Sequence, residues 1–164
     1  MSGSLEIALA LLRRDDIEGL RLSPYLCPAG YWTIGIGNRN LADGSPVTAA
    51  TKTISEDQAV TLAGQTLVDL RVALRAASAV PLTGWQEAAL LSWQFNVGSG
   101  AMRSSTLIRL LNLEHYVAAG LQLLRWDKAT INGRRIILPG LQRRRKLELA
   151  VYSGRPIEGV SFTN

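Results

Sequence analysis

The sequence predicts an α+β fold, and two observations indicate this class. Residues 23–46 are dense in Pro, Gly and β-favouring residues, which is typical of a small antiparallel sheet with tight turns. Most of the later chain carries apolar residues at helical spacing, separated by short turn signals. We therefore expect residues 1–164 to form one domain, with a small sheet near the front and a bundle of helices behind it.

The first half of the chain is predicted as follows. Residues 4–18 form an amphipathic helix that ends at Gly19, because glycine tolerates the left-handed conformation that commonly stops a helix. Residues 19–50 form the sheet lobe. Ser55 is a typical N-cap for a long helix over residues 55–79, which links the sheet lobe to the rest of the chain.

The helical lobe is predicted over residues 80–154, together with the N-terminal helix. Thr83 and Gln86 fit a capping box, and the following residues 88–95 are apolar nearly all round, which indicates a buried central helix. Residues 96–100 break this helix, and shorter helices follow over 104–112 and 114–126. Asn132 and Gly133 predict a tight hairpin before a final helix over 141–152.

Composition narrows the classes of function. Hydrophobic residues make up 47% and charged residues 19% of the 164 residues, a globular balance, and the net charge of +5 suits a polyanionic target. Charge by itself does not choose among nucleic acid, anionic membrane and bacterial wall. A single Cys within this sequence permits no intrachain disulfide, and a single His, His115, disfavours a multi-His zinc site. Carboxylate chemistry remains the natural candidate.

The start of the chain carries no visible export signal. Its longest apolar run, residues 7–12, is too short to span a bilayer, and no cationic leader precedes it. We therefore expect a protein that is made and retained in a cytoplasm, without stable membrane insertion.

One spaced motif indicates the chemistry. Glu18 and Gly19 are followed by Cys27 and by Thr33, the latter inside the segment Tyr-Trp-Thr-Ile-Gly-Ile-Gly of residues 31–37. This pattern resembles the phage-type lysozymes, the endolysins of glycoside hydrolase family 24, which show Glu, then Asp or Cys, then Thr at this spacing. Later blocks of the same family follow in order, so the resemblance covers roughly residues 5–154. Cys27 is the rarer family option, and Asn38 stands where the family usually has His.

The resemblance implies roles for the motif residues. Glu18 matches the proton donor, Thr33 matches the hydroxyl that positions water, and Arg144 matches an arginine that supports the acid. If each residue is considered alone, Glu18 is interpreted as a solvated charge at a helix end and Thr33 as a residue that fills the sheet. The spacing between them, which matches the family motif, favours a catalytic role for both. Cys27 is expected to tune the reaction, with a redox handle and an inert buried thiol as alternatives.

Other residues are assigned by their place in the family blocks. Asn96, Phe95 and Trp32 are candidate substrate contacts, weighed against local capping for Asn96 and core packing for Trp32. Asn38 is expected to be structural and to tie the sheet lobe through a polar contact. The remaining basic residues of the final helix form either a solvated basic face that at most touches the wall or part of the functional machinery: Arg143, Arg145 and Lys146.

The resemblance implies an endolysin that hydrolyses the β-1,4 bond between N-acetylmuramic acid and N-acetylglucosamine in bacterial peptidoglycan, with inversion. It implies no metal and no cofactor, a monomer, and access to the wall through a holin lesion. A lytic transglycosylase is an alternative, since such enzymes work with one Glu and no second carboxylate. A catalytically inactive wall-binding module is another, and an intact Glu18 speaks against it. Nucleic-acid binding is disfavoured, because the basic helix lacks interleaved aromatic residues.

Overall fold

The computed structural model describes residues 3–160, and its sheets and helices separate into two regions. In that part of the chain there are seven α-helices, one 3₁₀ helix and two antiparallel two-stranded sheets. The predicted α+β class is confirmed. Within residues 3–160, no helix is both long and apolar enough to cross a membrane.

The first helix is shorter than predicted. Helix α1 spans Gly3–Leu12, and residues 13–18 form turns instead of a further helical turn and a half. The carbonyl of Leu12 accepts hydrogen bonds from the backbone N–H groups of Glu18 and Gly19, at 3.3 and 3.2 Å, and Gly19 has a φ of +73°. The helix stops early because residues 13–16 are all charged and have no apolar surface to bury. Glu18 therefore lies in the turns that follow α1, and not at the end of the helix as predicted.

The sheet lobe is a hairpin with further short pairings. Strand β1, Arg21–Leu26, pairs with β2, Trp32–Gly35, and Tyr25 lies opposite Thr33. The N–H of Cys27 donates to the carbonyl of Tyr31 at 2.9 Å and closes the connecting loop. The predicted small antiparallel sheet is confirmed here.

The long linking helix is α2, Glu56–Ala77, and the central helix is α3, Gly84–Val97. Both begin with the predicted N-caps, Ser55 and Thr83, and both caps form complete capping boxes. Residues 87–94 of α3 are buried, and α3 packs against α1, α2 and the last helix. Trp93 and Trp126 meet edge to face in this core, with ring centroids 5.3 Å apart.

The remaining helical lobe is more divided than predicted. Gly98, with φ +86°, ends α3, and an unpredicted helix α4, Ser99–Arg103, starts directly after it. Helix α5 is Thr106–Asn112. The single helix predicted over 114–126 is α6, Tyr116–Leu121, followed by the 3₁₀ helix Gln122–Arg125. Strands β3, Lys128–Ile131, and β4, Arg134–Ile137, form the predicted hairpin, and α7 is Pro139–Tyr152.

Candidate active site

The carboxyl group of Glu18 lies where the turns after α1, the sheet lobe and α7 meet. Its side chain is 19% exposed, so it is open to solvent at one edge. From α7, Arg144 Nη1 donates a hydrogen bond to Glu18 Oε1 at 2.5 Å. From the sheet lobe, the backbone of Gly37 packs against the other carboxylate oxygen. Glu18 is therefore held from both lobes at once.

Gly37 has no room for a side chain. A Cβ atom there would lie 2.7 Å from Glu18 Oε2 and 2.9 Å from its Cγ, and Gly37 also has a φ of +77°. Glycine meets both requirements, because it has no Cβ and adopts positive φ without strain. The second glycine of the Gly-Ile-Gly segment thus forms one wall of the seat of Glu18.

Arg144 is a buried cation held by an extensive network. It is 4% exposed; its Nε donates to Glu148 Oε1 at 2.9 Å and its Nη2 to the carbonyl of Ser92 at 2.9 Å. The Ser92 hydroxyl also donates to Glu148 Oε1, at 2.8 Å. Burial acts to lower the pKa of Arg144, but the charges of Glu148 and Glu18 outweigh it and raise the pKa above the ordinary value. Arg144 therefore stays charged beside Glu18.

Arg145 is buried and does not belong to a solvated basic face. It is 1% exposed; its Nη1 donates to Glu148 Oε2 at 2.5 Å, its Nε to the carbonyl of Trp126 at 2.9 Å, and its Nη2 to Asn96 Oδ1. Burial lowers its pKa despite the attraction of Glu148. Arg145 is buried because it bonds the second oxygen of Glu148, which is wholly inaccessible and whose first oxygen is bonded by Arg144. Arg143 and Lys146 are exposed, which agrees with the solvated alternative.

Thr33 and Tyr25 lie opposite each other in the hairpin, on one face. Thr33 is 2% exposed, and its hydroxyl donates to the carbonyl of Tyr31 at 3.0 Å. Burial raises the pKa of Tyr25, and the negative charges of Glu18 and Cys27 raise it further, against Arg21, whose guanidinium lies 4.4 Å from the ring centroid. Tyr25 therefore lies near enough to Glu18 and Cys27 for their charges to act on its hydroxyl.

Cys27 opens the hairpin loop and is half-buried. Burial disfavours its thiolate. The backbone N–H groups of Tyr31 and Ala29, the Thr33 hydroxyl and the charge of Arg39 together outweigh burial and lower the pKa of the thiol below its ordinary value. The loop thus makes the thiolate of Cys27 easier to form than it is in the unfolded chain.

The three candidate substrate contacts differ in their placement. Asn96 is exposed at the end of α3, with its Oδ1 tied to Arg145. Phe95 is partly buried and packs against the hydrophobic core. Trp32 pairs with Leu26, and because side chains alternate along a strand, it lies on the face of the hairpin opposite to Thr33. Asn96 therefore bonds to the arginine next to Arg144, Phe95 contributes to core packing, and Trp32 lies on the hairpin face opposite to Thr33.

Asn38 makes the structural contact expected of it. It is 4% exposed, and its Nδ2 donates to the hydroxyl of Thr66 on α2 at 2.9 Å; that hydroxyl in turn donates to the carbonyl of Leu62. An amide thus ties the sheet lobe to the linking helix without a charge.

Four residues of the site were not predicted. Ser92 and Glu148 accept hydrogen bonds from Arg144. Gly37 packs against the carboxyl group of Glu18, and the charge of Glu18 raises the pKa of Tyr25. The glycine could have been found from the Gly-x-Gly end of the motif. Tyr25 could have been found from its place two residues before Cys27, near the end of the strand that leads into the loop. The buried pair of Ser92 and Glu148 left no local signal.

The two-lobed α+β fold, with a carboxyl group seated between the lobes, defines a lysozyme-like glycosidase. A model of the phage lysozyme family matches residues 15–148. The chain belongs to the phage lysozyme family and is a glycoside hydrolase.

Similar proteins agree on this assignment. The chain is 37% identical over 150 residues to an endolysin of Acyrthosiphon pisum secondary endosymbiont phage 1, covering 90% of this chain and 95% of the relative. It is 38% identical over 139 residues to the endolysin of Salmonella phage P22, covering 85% and 92%. Among solved structures, an endolysin from Escherichia coli O157:H7 phage FAHEc1 superposes with a TM-score of 0.81 at 31% identity, covering 96% of both chains.

Proposed function

We propose that this lysozyme is an endolysin that hydrolyses the β-1,4 bond between N-acetylmuramic acid and N-acetylglucosamine in peptidoglycan and so lyses the host cell. The observation that carries the residue roles is the seat of Glu18, which is fixed by Arg144 on one side and by Gly37 on the other. An acid with one solvent-facing edge and no freedom to swing away is suited to protonate a leaving glycosidic oxygen.

Glu18 is the proposed proton donor, and Arg144 positions it. As the bond breaks, the leaving oxygen takes the proton from Glu18, and the resulting carboxylate is stabilised by the guanidinium 2.5 Å away. Because Arg144 is buried and each of its three guanidinium nitrogens donates a hydrogen bond, it needs no rearrangement at that moment.

Thr33 is proposed to position the attacking water. Its hydroxyl proton is engaged by the carbonyl of Tyr31, which leaves the lone pairs of Oγ1 to accept a hydrogen bond from water. An attack from the face opposite to Glu18 inverts the anomeric carbon. Cys27, beside Thr33 and with a lowered pKa, supplies partial negative charge near the developing oxocarbenium ion and tunes the rate.

Asn96 is the proposed contact for a sugar or amide group of the substrate. Its Oδ1 is fixed by Arg145, so its exposed Nδ2 is presented in one orientation as a donor. Arg145 thus positions the proposed substrate contact Asn96, whereas Arg144 positions the proposed acid Glu18.

The test is mass spectrometry of the fragments released from purified peptidoglycan. The wild type should release fragments with reducing muramic acid ends, and Glu18→Gln should release none. Glu114→Gln, an exposed carboxylate in the helical lobe, is the matched control and should keep wild-type activity. Anhydro-muramic ends from the wild type would contradict hydrolysis and indicate a transglycosylase. Wall binding without fragments would indicate a binding module.

We further propose that the enzyme acts on the wall as a monomer from the periplasmic side, after a membrane lesion made by a holin. Expression of the chain in a Gram-negative host, with and without a co-expressed holin, tests this route. Lysis only with the holin is the expected result, and rapid lysis without it would contradict the proposal. Size-exclusion chromatography with light scattering checks the monomer.

A further inference from the structure

Two cavities on the helical lobe adjoin each other outside the active site. One, of about 660 Å³, lies between the end of α2 and helices α4 and α5; the other, of about 470 Å³, lies between the 3₁₀ helix and the β3–β4 hairpin. Thr106, the first residue of α5, lines both. The two cavities therefore meet at Thr106.

The surface of these two cavities is strongly cationic. Arg103 and Arg109 line the first cavity, and Arg125, Lys128 and Arg135 line the second; we call this set the cationic groove. No Asp or Glu lines either cavity. Lys128 pairs with Asp127, but the guanidinium groups of the four arginines make no hydrogen bond or ion pair within residues 3–160. Four unpaired arginines around these two adjoining cavities create a positive potential that draws anions.

An exposed apolar stripe continues from the groove. Val117, Leu121 and Leu124 follow one another at helical spacing along α6 and the 3₁₀ helix, and they are 79%, 51% and 38% exposed. Leu124 itself lines the second cavity, so the stripe and the groove are contiguous. Ile137, 50% exposed, is paired with Lys128 in the hairpin and adds to the apolar surface. The acids closest to the stripe in the sequence are Glu114 and Asp127, each three residues from it, and Asp127 is paired with Lys128.

We propose that the cationic groove and the apolar stripe together bind the surface of an anionic lipid bilayer. Arginine side chains bind phosphate groups of lipids, and exposed aliphatic side chains beside them enter the boundary between headgroups and acyl chains. A soluble polyanion would use the cations but would gain nothing from three exposed aliphatic side chains. The combination therefore favours a bilayer over a free polymer, and the binding is peripheral.

Vesicle co-sedimentation tests the proposal with the full chain. The wild type should bind vesicles of phosphatidylcholine mixed with phosphatidylglycerol and should not bind phosphatidylcholine alone. The double variant Arg125→Glu with Arg135→Glu should lower the partition coefficient by at least about tenfold, because each cation near an anionic surface contributes about fivefold. The double variant Val117→Ser with Leu121→Ser should lower it by roughly fivefold.

Matched controls separate this surface from overall charge and hydrophobicity. Lys52→Glu with Arg155→Glu makes the same change in net charge at exposed positions elsewhere, and Val72→Ser removes an aliphatic side chain that is 68% exposed on α2. Both should bind vesicles nearly as the wild type does. Arg103→Glu with Arg109→Glu, at the other end of the groove, is a second groove variant should the first pair fail to fold.

Two results would overturn the proposal. One is equal binding by the groove variants and the charge-matched control. The other is loss of binding in the groove variants but not in the stripe variant, together with competition by inorganic polyphosphate, since this would mean that the groove takes a soluble polyanion. All these variants should hydrolyse soluble peptidoglycan fragments at the wild-type rate, so the outcome is independent of the proposed catalytic roles.

Discussion

The backbone of Gly37 touches the carboxyl group of Glu18 so closely that a Cβ atom on residue 37 would lie 2.7 Å from Oε2 and 2.8 Å from Cδ. The position of the Glu18 carboxyl group therefore depends on the lack of a side chain at Gly37 as well as on the hydrogen bond from Arg144. The sheet lobe presents bare backbone at the one point where the acid must fit, and the arginine fixes the opposite oxygen.

Gly37→Ala should reduce activity by more than its cost in stability explains. The new methyl group displaces the carboxylate of Glu18, and a misplacement of about 1 Å costs roughly a hundredfold in rate. We expect kcat/KM to fall by about that factor in a soluble-fragment assay. Gly44→Ala is the control: Gly44 has a similar φ of +82° but nothing within 4 Å of its Cβ position. Equal losses in both variants would mean that strain, and not displacement of Glu18, is responsible.

Arg144→Gln and Arg145→Gln should separate the acid from the substrate contact. Each variant leaves Glu148 short of a cation in a buried site, so each should lower the free energy of unfolding by about 3 kcal/mol. Of the two arginines, Arg144 is the one that donates a hydrogen bond to Glu18, so kcat should fall in Arg144→Gln. Only Arg145 contacts Asn96, so KM should rise in Arg145→Gln. The same kinetic change in both variants would contradict this division.

Thr33→Val should be far more damaging than Cys27→Ala. Loss of the hydroxyl that is proposed to position water should cost about a hundredfold or more in kcat, within the range for a positioned proton-transfer group. Loss of the thiol should cost no more than about tenfold, because Cys27 tunes the charge and carries no step. Initial rates on soluble fragments measure both. A Cys27→Ala variant as inactive as Thr33→Val would show that the thiol has an essential role.

Cys27 should couple to pH in a defined direction. The pKa of Cys27 in the folded protein lies below the ordinary value of 9.0, so folding stabilises the thiolate relative to the neutral thiol. The resulting stabilisation is present above the unfolded pKa and is lost as the pH falls through the folded pKa. The free energy of unfolding of the wild type, relative to Cys27→Ala, should therefore rise as the pH approaches and passes 9.0. Urea titrations across this range measure the difference, and a difference that is constant with pH would refute it.

Tyr152 should produce the opposite dependence. Burial raises the pKa of this residue from 10.0 to about 12, and its hydroxyl donates to the carbonyl of Tyr116 at 2.9 Å. The neutral form is favoured on folding, so its stabilisation is complete below pH 10.0 and is lost as the pH rises towards 12. The unfolding free energy of the wild type should drop more steeply than that of Tyr152→Phe over this interval. Parallel profiles would show that another group dominates alkaline unfolding.

The elements set by local chemistry were predictable from the sequence. The N-cap at Ser55 and the capping box at Thr83 identified the starts of α2 and α3, because a cap is satisfied within four residues of chain. Asn132 and Gly133 identified the β3–β4 turn because both residues take positive φ there. The spacing of Glu18 and Thr33 likewise identified the family, and family membership is confirmed by residues 15–148.

Long-range packing decided the rest. The sequence by itself determined the family, the α+β class and the starts of the long helices, and it predicted which residues carry the chemistry. It did not determine that α1 ends at Leu12, that Arg145 is buried, or how Gly37 and Arg144 enclose Glu18. Glu18 and Arg144 are 126 residues apart, and a charged run on a helix gives no sign of a buried Glu148 that will neutralise it. Such contacts exist only after the two lobes have packed, because each depends on groups from separate elements arriving at one place.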